Sequence, residues 1–271
     1  MPMVASLTIL LTALLAIMTV WLPSFSADFH DFYMAGQLLG RGESPYGWAR
    51  FYSPIWVAAG FVPLTLLPER LAYAVHTLVS LAVIAWSVHR LTSGKRRSLA
   101  LVTTMLLWLI QILWGNFDWV ALGALAAPAP MGVWLALSKP QLGWILAAIL
   151  LLTMPRRQMA GVIVAVTAGL ALSYALGMRT PALEEVWEWN IAPWPWGLLA
   201  GVPLAVWSLA KRDRALALSA ALLVSPYWQR PSFTAAWPST IRSRWLWAAW
   251  FVVAAWMVVD QIRALIHLFR A

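Results

Sequence analysis

The chain has no cysteine and little charge. Without cysteine, disulfides, thiolate metal sites and cysteine nucleophiles are excluded, and no redox compartment can be read from the sequence. Charged residues make up 11% of the 271 positions, where a soluble globular domain carries about 25%. That is too little polar surface to coat a water-soluble fold. It also excludes a disordered chain or a coiled coil, both of which need abundant charge. No glycine-rich phosphate loop, H-E-x-x-H or nucleophile elbow is present. No internal repeat is visible either, which removes the usual pointer to a transporter. What is present is apolar: 62% of residues are hydrophobic and 20 are Trp, a residue that favours the lipid headgroup level. Lipid must cover what the charges cannot.

Apolar runs divide the sequence into spans. Met3 to Leu22 carries no charge and is about 20 residues long, without the basic start and small-residue cleavage site of a signal peptide, so it reads as a first transmembrane helix. A polar segment follows at 23–53. Pro54 to Pro68 is broken by Pro63 and suits an interfacial or re-entrant helix. Leu71 to Leu91 and Leu99 to Trp114 read as spans. Trp119 to Ala127 and Met131 to Ser138, joined by Pro128-Ala129-Pro130, are each too short, since nine helical residues cover only about 14 Å. They read as half-helices or short spans in a thinned region. Gln141 to Met154, Ala160 to Leu176, Leu198 to Ala210, Ala215 to Val224 and Trp245 to Val259 complete the set, with a second external loop at 177–196 and an ambiguous stretch from Trp228 to Thr240. The expectation is an all-α polytopic membrane protein, a single domain over 1–271 with about eight to ten membrane-embedded helices, external juxtamembrane helices and short broken helices.

The net charge of +9 reports topology rather than nucleic acid, because no soluble face exists to carry a basic stripe. Lys95-Arg96-Arg97, Arg156-Arg157 and Lys211-Arg212-Arg214 each follow a span and hold eight of the 19 basic residues. The positive-inside bias puts all three on the cytoplasmic side. This is self-consistent if the N-terminus is cytoplasmic and Pro54 to Pro68 does not cross. Asp28, Asn116-Asp118, Lys139, Glu184 and Ser225-Pro226 then gather on the external face.

The residues with chemical potential lie on that face. Asp28 to Tyr46 reads D-F-H-D-F-Y-M-A-G-Q-L-L-G-R-G-E-S-P-Y, whose small and apolar residues give a helix with one greasy side and Asp28 at its N-terminus, in a position to act as an N-cap. Lys139 sits between apolar half-helices, where a lone cation is expensive and usually functional. His76 and His89 read as structural. Glu184, Glu185 and Glu188, without a histidine among them, read as an interfacial segment rather than a metal site.

The run D-F-x-x-F-Y-x-A-G-x-x-L-L-x-x-G-E-S-P-Y resembles the first external loop of GT-C type glycosyltransferases that use polyprenol-phosphate sugars, in particular glycosyltransferase family 87, a mannosyltransferase-like group. Tyr52-Ser53-Pro54 with Pro63-Leu64 and Leu67-Pro68, Gly115-Asn116-Phe117-Asp118, Lys139-Pro140-Gln141 and Ser225-Pro226-Tyr227 are similar to further pieces in the same order. The resemblance covers about Ser26 to Tyr227. The chain departs from the family pattern in being shorter, and Trp228, Gln229 and Arg230 stand where a late histidine is often found.

The resemblance implies a GT-C-like helical bundle and an inverting hexosyl transfer, with a sugar such as mannose passing from a polyprenyl-phosphate carrier to a lipid or glycan acceptor on the external side, without a metal or other cofactor. Asp28 takes the role of general base and Asp31 is second choice. Lys139 is the leading candidate for the leaving phosphate. Gln141, Tyr46, Tyr52, Asn116, Asp118, Arg41, Arg230 and His30 are candidate substrate contacts. Expected partners are the polyprenyl-phosphate-sugar donor, the acceptor and membrane lipids, with no nucleic acid. The expected location is a bacterial or archaeal cell membrane, crossed several times. The shortened chain and missing histidine also fit a non-catalytic GT-C-like scaffold subunit that binds lipid or a partner within a larger membrane complex.

Overall fold

The computed structural model describes residues 27–92, 115–180 and 190–270. The first apolar run, the Lys95 cluster, the span from Leu99 and the Glu184 segment lie outside the described residues. Those that are described form helices and turns, with no strand among them. The fold is all-α.

Helix α1 (Ala27–Gly40) buries Phe29, Phe32, Tyr33 and Ala35 on one side. They pack on α2 (Ile55–Phe61), which tightens into a 3-10 turn over Val62–Leu66, and on the start of α3 (Glu69–Leu91). The Pro54–Pro68 stretch is thus a short helix followed by a 3-10 turn. Proline cannot supply an amide to the preceding turn but is pre-set for the first helical positions, and Pro63 falls at the start of the 3-10 segment. Asp28 lies inside the first turn of α1 and not at an N-cap. Its carboxylate is taken instead by a residue 88 positions away.

A second, larger core is built from α3, α4 (Val120–Ala126), α5 (Ala129–Ser138), α6 (Pro140–Leu152) and α9 (Arg214–Val224). Helix α7 (Arg156–Ala175) and α8 (Leu198–Lys211) flank it. The ambiguous stretch resolves into a 3-10 segment (Arg230–Ala236) and the short helix α10 (Trp237–Thr240), both in contact with α9. The last helix, α11 (Arg244–Arg270), runs well past the expected end at Val259.

Two of the described helices, α3 and α7, are long and apolar enough to cross a membrane. The remaining expected spans between Val120 and Val224 are realised as helices of 7 to 14 residues. Their shortness has a local cause in the middle of the chain. Helix α4 leaves the Asn116–Asp118 turn, α5 returns to Lys139, and Pro128 starts the return. A residue before proline is held out of the helical region, so Lys139 adopts φ −128°, ψ 76° before Pro140 and ends α5. Helix α6 restarts at once, and the Lys139 carbonyl accepts from the amides of Leu142 and Gly143 at 2.9 and 3.0 Å. Gly143 permits the tight reversal, because a Cβ there would sit 2.0 Å from the Ala136 carbonyl oxygen.

Candidate active site at the seam of the two cores

Asp28 precedes Phe29 of the first core, while Asp118 precedes Trp119 of the second. Phe117 packs on both, with ring centroids 5.6 Å from Phe32 and 5.2 Å from Trp119. Gly115 opens the intervening turn with φ +56°, a conformation that favours glycine. The turn then folds on itself: the Asp118 amide donates to Asn116 Oδ1 at 2.8 Å. This local bond fixes the side-chain amide of Asn116, whose Nδ2 donates to Asp28 Oδ2 at 2.5 Å.

Asp118 is 1% exposed. Its Oδ1 faces Lys139 Nζ at 2.9 Å, and its Oδ2 accepts from Ser232 Oγ at 2.5 Å. The Lys139 ammonium also lies 5.8 Å from the centroid of the Phe32 ring, a cation–π contact that returns the chain of interactions to α1. Four residues named from the sequence, Asp28, Asn116, Asp118 and Lys139, are therefore joined in one polar network with the apolar cores on either side.

The electrostatics follow from this arrangement. Burial pushes the Asp28 carboxyl up to about 6, the neighbouring Asp118 and Asp31 carboxylates add to the rise, and Lys139 and the Asn116 hydrogen bond oppose it. A carboxyl so placed is ionised at neutral pH yet basic enough to accept a proton from a positioned hydroxyl. Tyr227 lies within the same field. Burial first, then the Asp28 and Asp118 carboxylates and Tyr52, raise its hydroxyl above the usual tyrosine range, against a hydrogen bond with Gln229. It is a lasting hydrogen-bond donor.

The other sequence candidates occupy different places. Asp31 accepts from Trp48 Nε1 at 2.7 Å, and its carboxyl is raised by burial against the opposing effects of Trp48, Arg50 and His30. His30 Nδ1 meets Glu69 Oε1 at 2.8 Å, linking α1 to α3. The Tyr46 hydroxyl donates to the Ser53 carbonyl at 3.1 Å within its own loop. Tyr52 lies beneath the Arg179 guanidinium, 5.5 Å from ring centroid to Cζ. Arg41 is exposed just past the end of α1. Gln141 lines an apolar groove between α6, α8 and α9. The side chain of Arg230 lies outside the described residues.

That groove has a volume of about 690 Å3 and is walled by Trp144, Trp194, Leu198, Val202, Val206 and Leu209. Pro140, Ser225 and Pro226, the sequence neighbours of Lys139 and Tyr227, also line it. Ser232 was not singled out by the sequence, and no local pattern marks it. Tyr227 stood out only as part of Ser225-Pro226-Tyr227.

No family model, no curated protein and no solved structure matches this chain.

Proposed function

We propose that the protein is a multi-pass membrane glycosyltransferase that moves a sugar from a polyprenyl-phosphate carrier to a lipid or glycan acceptor. The observation that carries the reading is the pairing of Asp28 and Lys139 within one network through Asn116 and Asp118. Two charged side chains with opposite tasks are held at a seam between apolar cores, where water is scarce and fixed charges act strongly. The groove beside Pro140 supplies an apolar channel of the kind a long isoprenoid tail needs. Membrane embedding is supported by the apolar side chains that the protein leaves uncovered, such as Val164 at 69%, Leu199 at 76% and Val206 at 63% exposure.

In this reading the acceptor hydroxyl gives its proton to the Asp28 carboxylate as its oxygen bonds to the anomeric carbon. The bond from that carbon to the phosphate oxygen breaks, its electron pair leaves on the phosphate, and the configuration inverts. Lys139 offsets the charge that develops on the departing phosphate. Tyr227 is placed to donate a hydrogen bond in the same space.

The test is transfer from polyprenyl-phosphate mannose to a glycolipid acceptor by protein reconstituted in vesicles. Wild type should transfer, Asp28→Asn should fall to background while remaining folded, and Asp31→Asn should keep most of its activity. Full activity of Asp28→Asn would overturn the reading. Wild-type protein that binds the carrier and transfers nothing would favour the scaffold role.

A further inference from the structure

We propose that Ser232 is a positioning residue that acts through Asp118 to hold the Lys139 ammonium in place. Its consequence for the donor phosphate rests on the function proposed above; its consequence for Lys139 does not.

Ser232 lies beyond the stretch that resembles a known family, in the 3-10 segment that follows α9. It is 2% exposed. Its oxygen accepts the Gln229 amide at 3.3 Å, which leaves its proton free to point elsewhere. The proton goes to Asp118 Oδ2 at 2.5 Å, a bond to a charged acceptor and hence one of the stronger kind. The two oxygens of Asp118 are thereby given separate tasks, Oδ2 to Ser232 and Oδ1 to Lys139.

This division matters because a lysine is a flexible chain with a point charge. Nothing in its own backbone fixes where the ammonium stands. The Asp118 carboxylate does so only if it cannot rotate. Its Cα is held by the turn bond from its amide to Asn116, and its carboxylate plane by Ser232. Removing the Ser232 hydroxyl takes from the buried Oδ2 its one donor among the described residues and frees the carboxylate to turn, so the ion pair loosens and Lys139 samples more positions. A pre-placed cation is lost from the anion site, and ordering it then falls to the ligand.

Two measurements on full-length protein in nanodiscs test this. The first is the rate at which an amine-reactive reagent labels Lys139, read by peptide mass spectrometry. Labelling should be slow in wild type, several-fold faster in Ser232→Ala, intermediate in Ser232→Cys, and near wild type in Ser232→Thr. Thermal unfolding of each variant, followed in parallel, separates loosening of Lys139 from loss of the fold. The second is binding of undecaprenyl phosphate. Ser232→Ala should weaken it by about tenfold, and the same change should cost nothing further in a Lys139→Met background, because both act through one ammonium.

Unchanged labelling in a folded Ser232→Ala or Ser232→Cys protein overturns the proposal, whatever the ligand does. Faster labelling with unchanged affinity, or an equal loss of affinity in the Lys139→Met background, overturns the consequence for the donor phosphate and leaves the hold on Lys139 standing. Faster labelling together with no binding of undecaprenyl phosphate by wild type overturns the donor reading and leaves the role of Ser232 standing.

Discussion

Asp118 and Lys139, 21 positions apart in sequence, form an ion pair at 2.9 Å in which the carboxylate side chain is 1% and the lysine side chain 14% exposed. A buried pair is weak evidence for stability as a whole, but removing one member strands the other charge. Asp118→Ala and Lys139→Met should therefore each lower unfolding stability by about 3 kcal/mol, since each leaves the other charge buried without its counter-ion. Chemical denaturation in detergent micelles measures both.

The raised proton affinity of Asp28 predicts how activity depends on pH. In the proposed transfer the Asp28 carboxylate is the base, so the rate should climb through an acid limb near pH 6 and level off above it. Lys139 opposes the rise and Asp118 contributes to it. Removing Lys139 should move the limb to higher pH, and Asp118→Asn should move it lower. A rate–pH profile of residual activity reads both shifts, and shifts in the reverse order would contradict the electrostatics described.

The same group has a stability signature. A carboxyl whose folded pKa of about 6 exceeds its ordinary 3.8 binds its proton more tightly when folded. Its stabilising contribution is complete below 3.8 and is lost as pH rises through 6. Asp28→Asn carries no such charge. Its melting temperature should exceed that of wild type at pH 8, and the gap should narrow as pH falls below 6. Melting curves at four or five pH values suffice.

Gly143 is the most constrained packing position near the site. Gly143→Ala should force α5 and α6 apart, since the new methyl meets a backbone carbonyl that cannot swing away. The expected result is a loss of about 2 kcal/mol or more together with weaker transfer, because Lys139 is the joint between these helices. The equivalent change at Gly161, which faces open space, should be silent.

At the start of α9, Asp213 caps the helix by accepting the Leu216 amide at 3.1 Å and pairs with Arg242, whose Nη2 stands 2.8 Å from Oδ1. The Arg242 hydrogen bonds hold the Asp213 carboxyl below its usual range despite partial burial. Its contribution is present above the ordinary pKa of 3.8 and disappears as pH falls through the lowered folded value. Arg242 is half exposed, so Arg242→Gln should cost only about 1 kcal/mol, a loss visible at pH 7 and absent at the acid end.

Helix positions followed from hydropathy and proline spacing alone. The runs ending at Ser138 and Val224 end there in the structure, because proline and the residue before it leave few ways to continue a helix, and the run ending at Leu91 stops at Thr92, whose backbone is extended. The apolar run from Trp245 to Val259 lies inside the longer helix α11, whose backbone carries on through Asp260 and Arg263 to Arg270. Asp28 was expected at a cap because local sequence offers it the first amides of α1. Its actual partner comes from a turn that only folding brings near.

The sequence by itself determined that this chain is helical, poor in charge and divided by proline into many short apolar segments, since those properties depend on neighbours along the chain. It also marked Lys139 as a charge in costly surroundings and Asp28 as the leading carboxylate of the first polar segment. Only the tertiary structure decided which groups neutralise them. Asn116 bridges Asp28 to the Asp118 turn, Asp118 turns its two oxygens to Lys139 and Ser232, and Asp31 turns aside to Trp48. Such pairings join residues about 20 to more than 110 positions apart, and hydrogen bonds carry no signature in sequence until packing has fixed the distances between their partners.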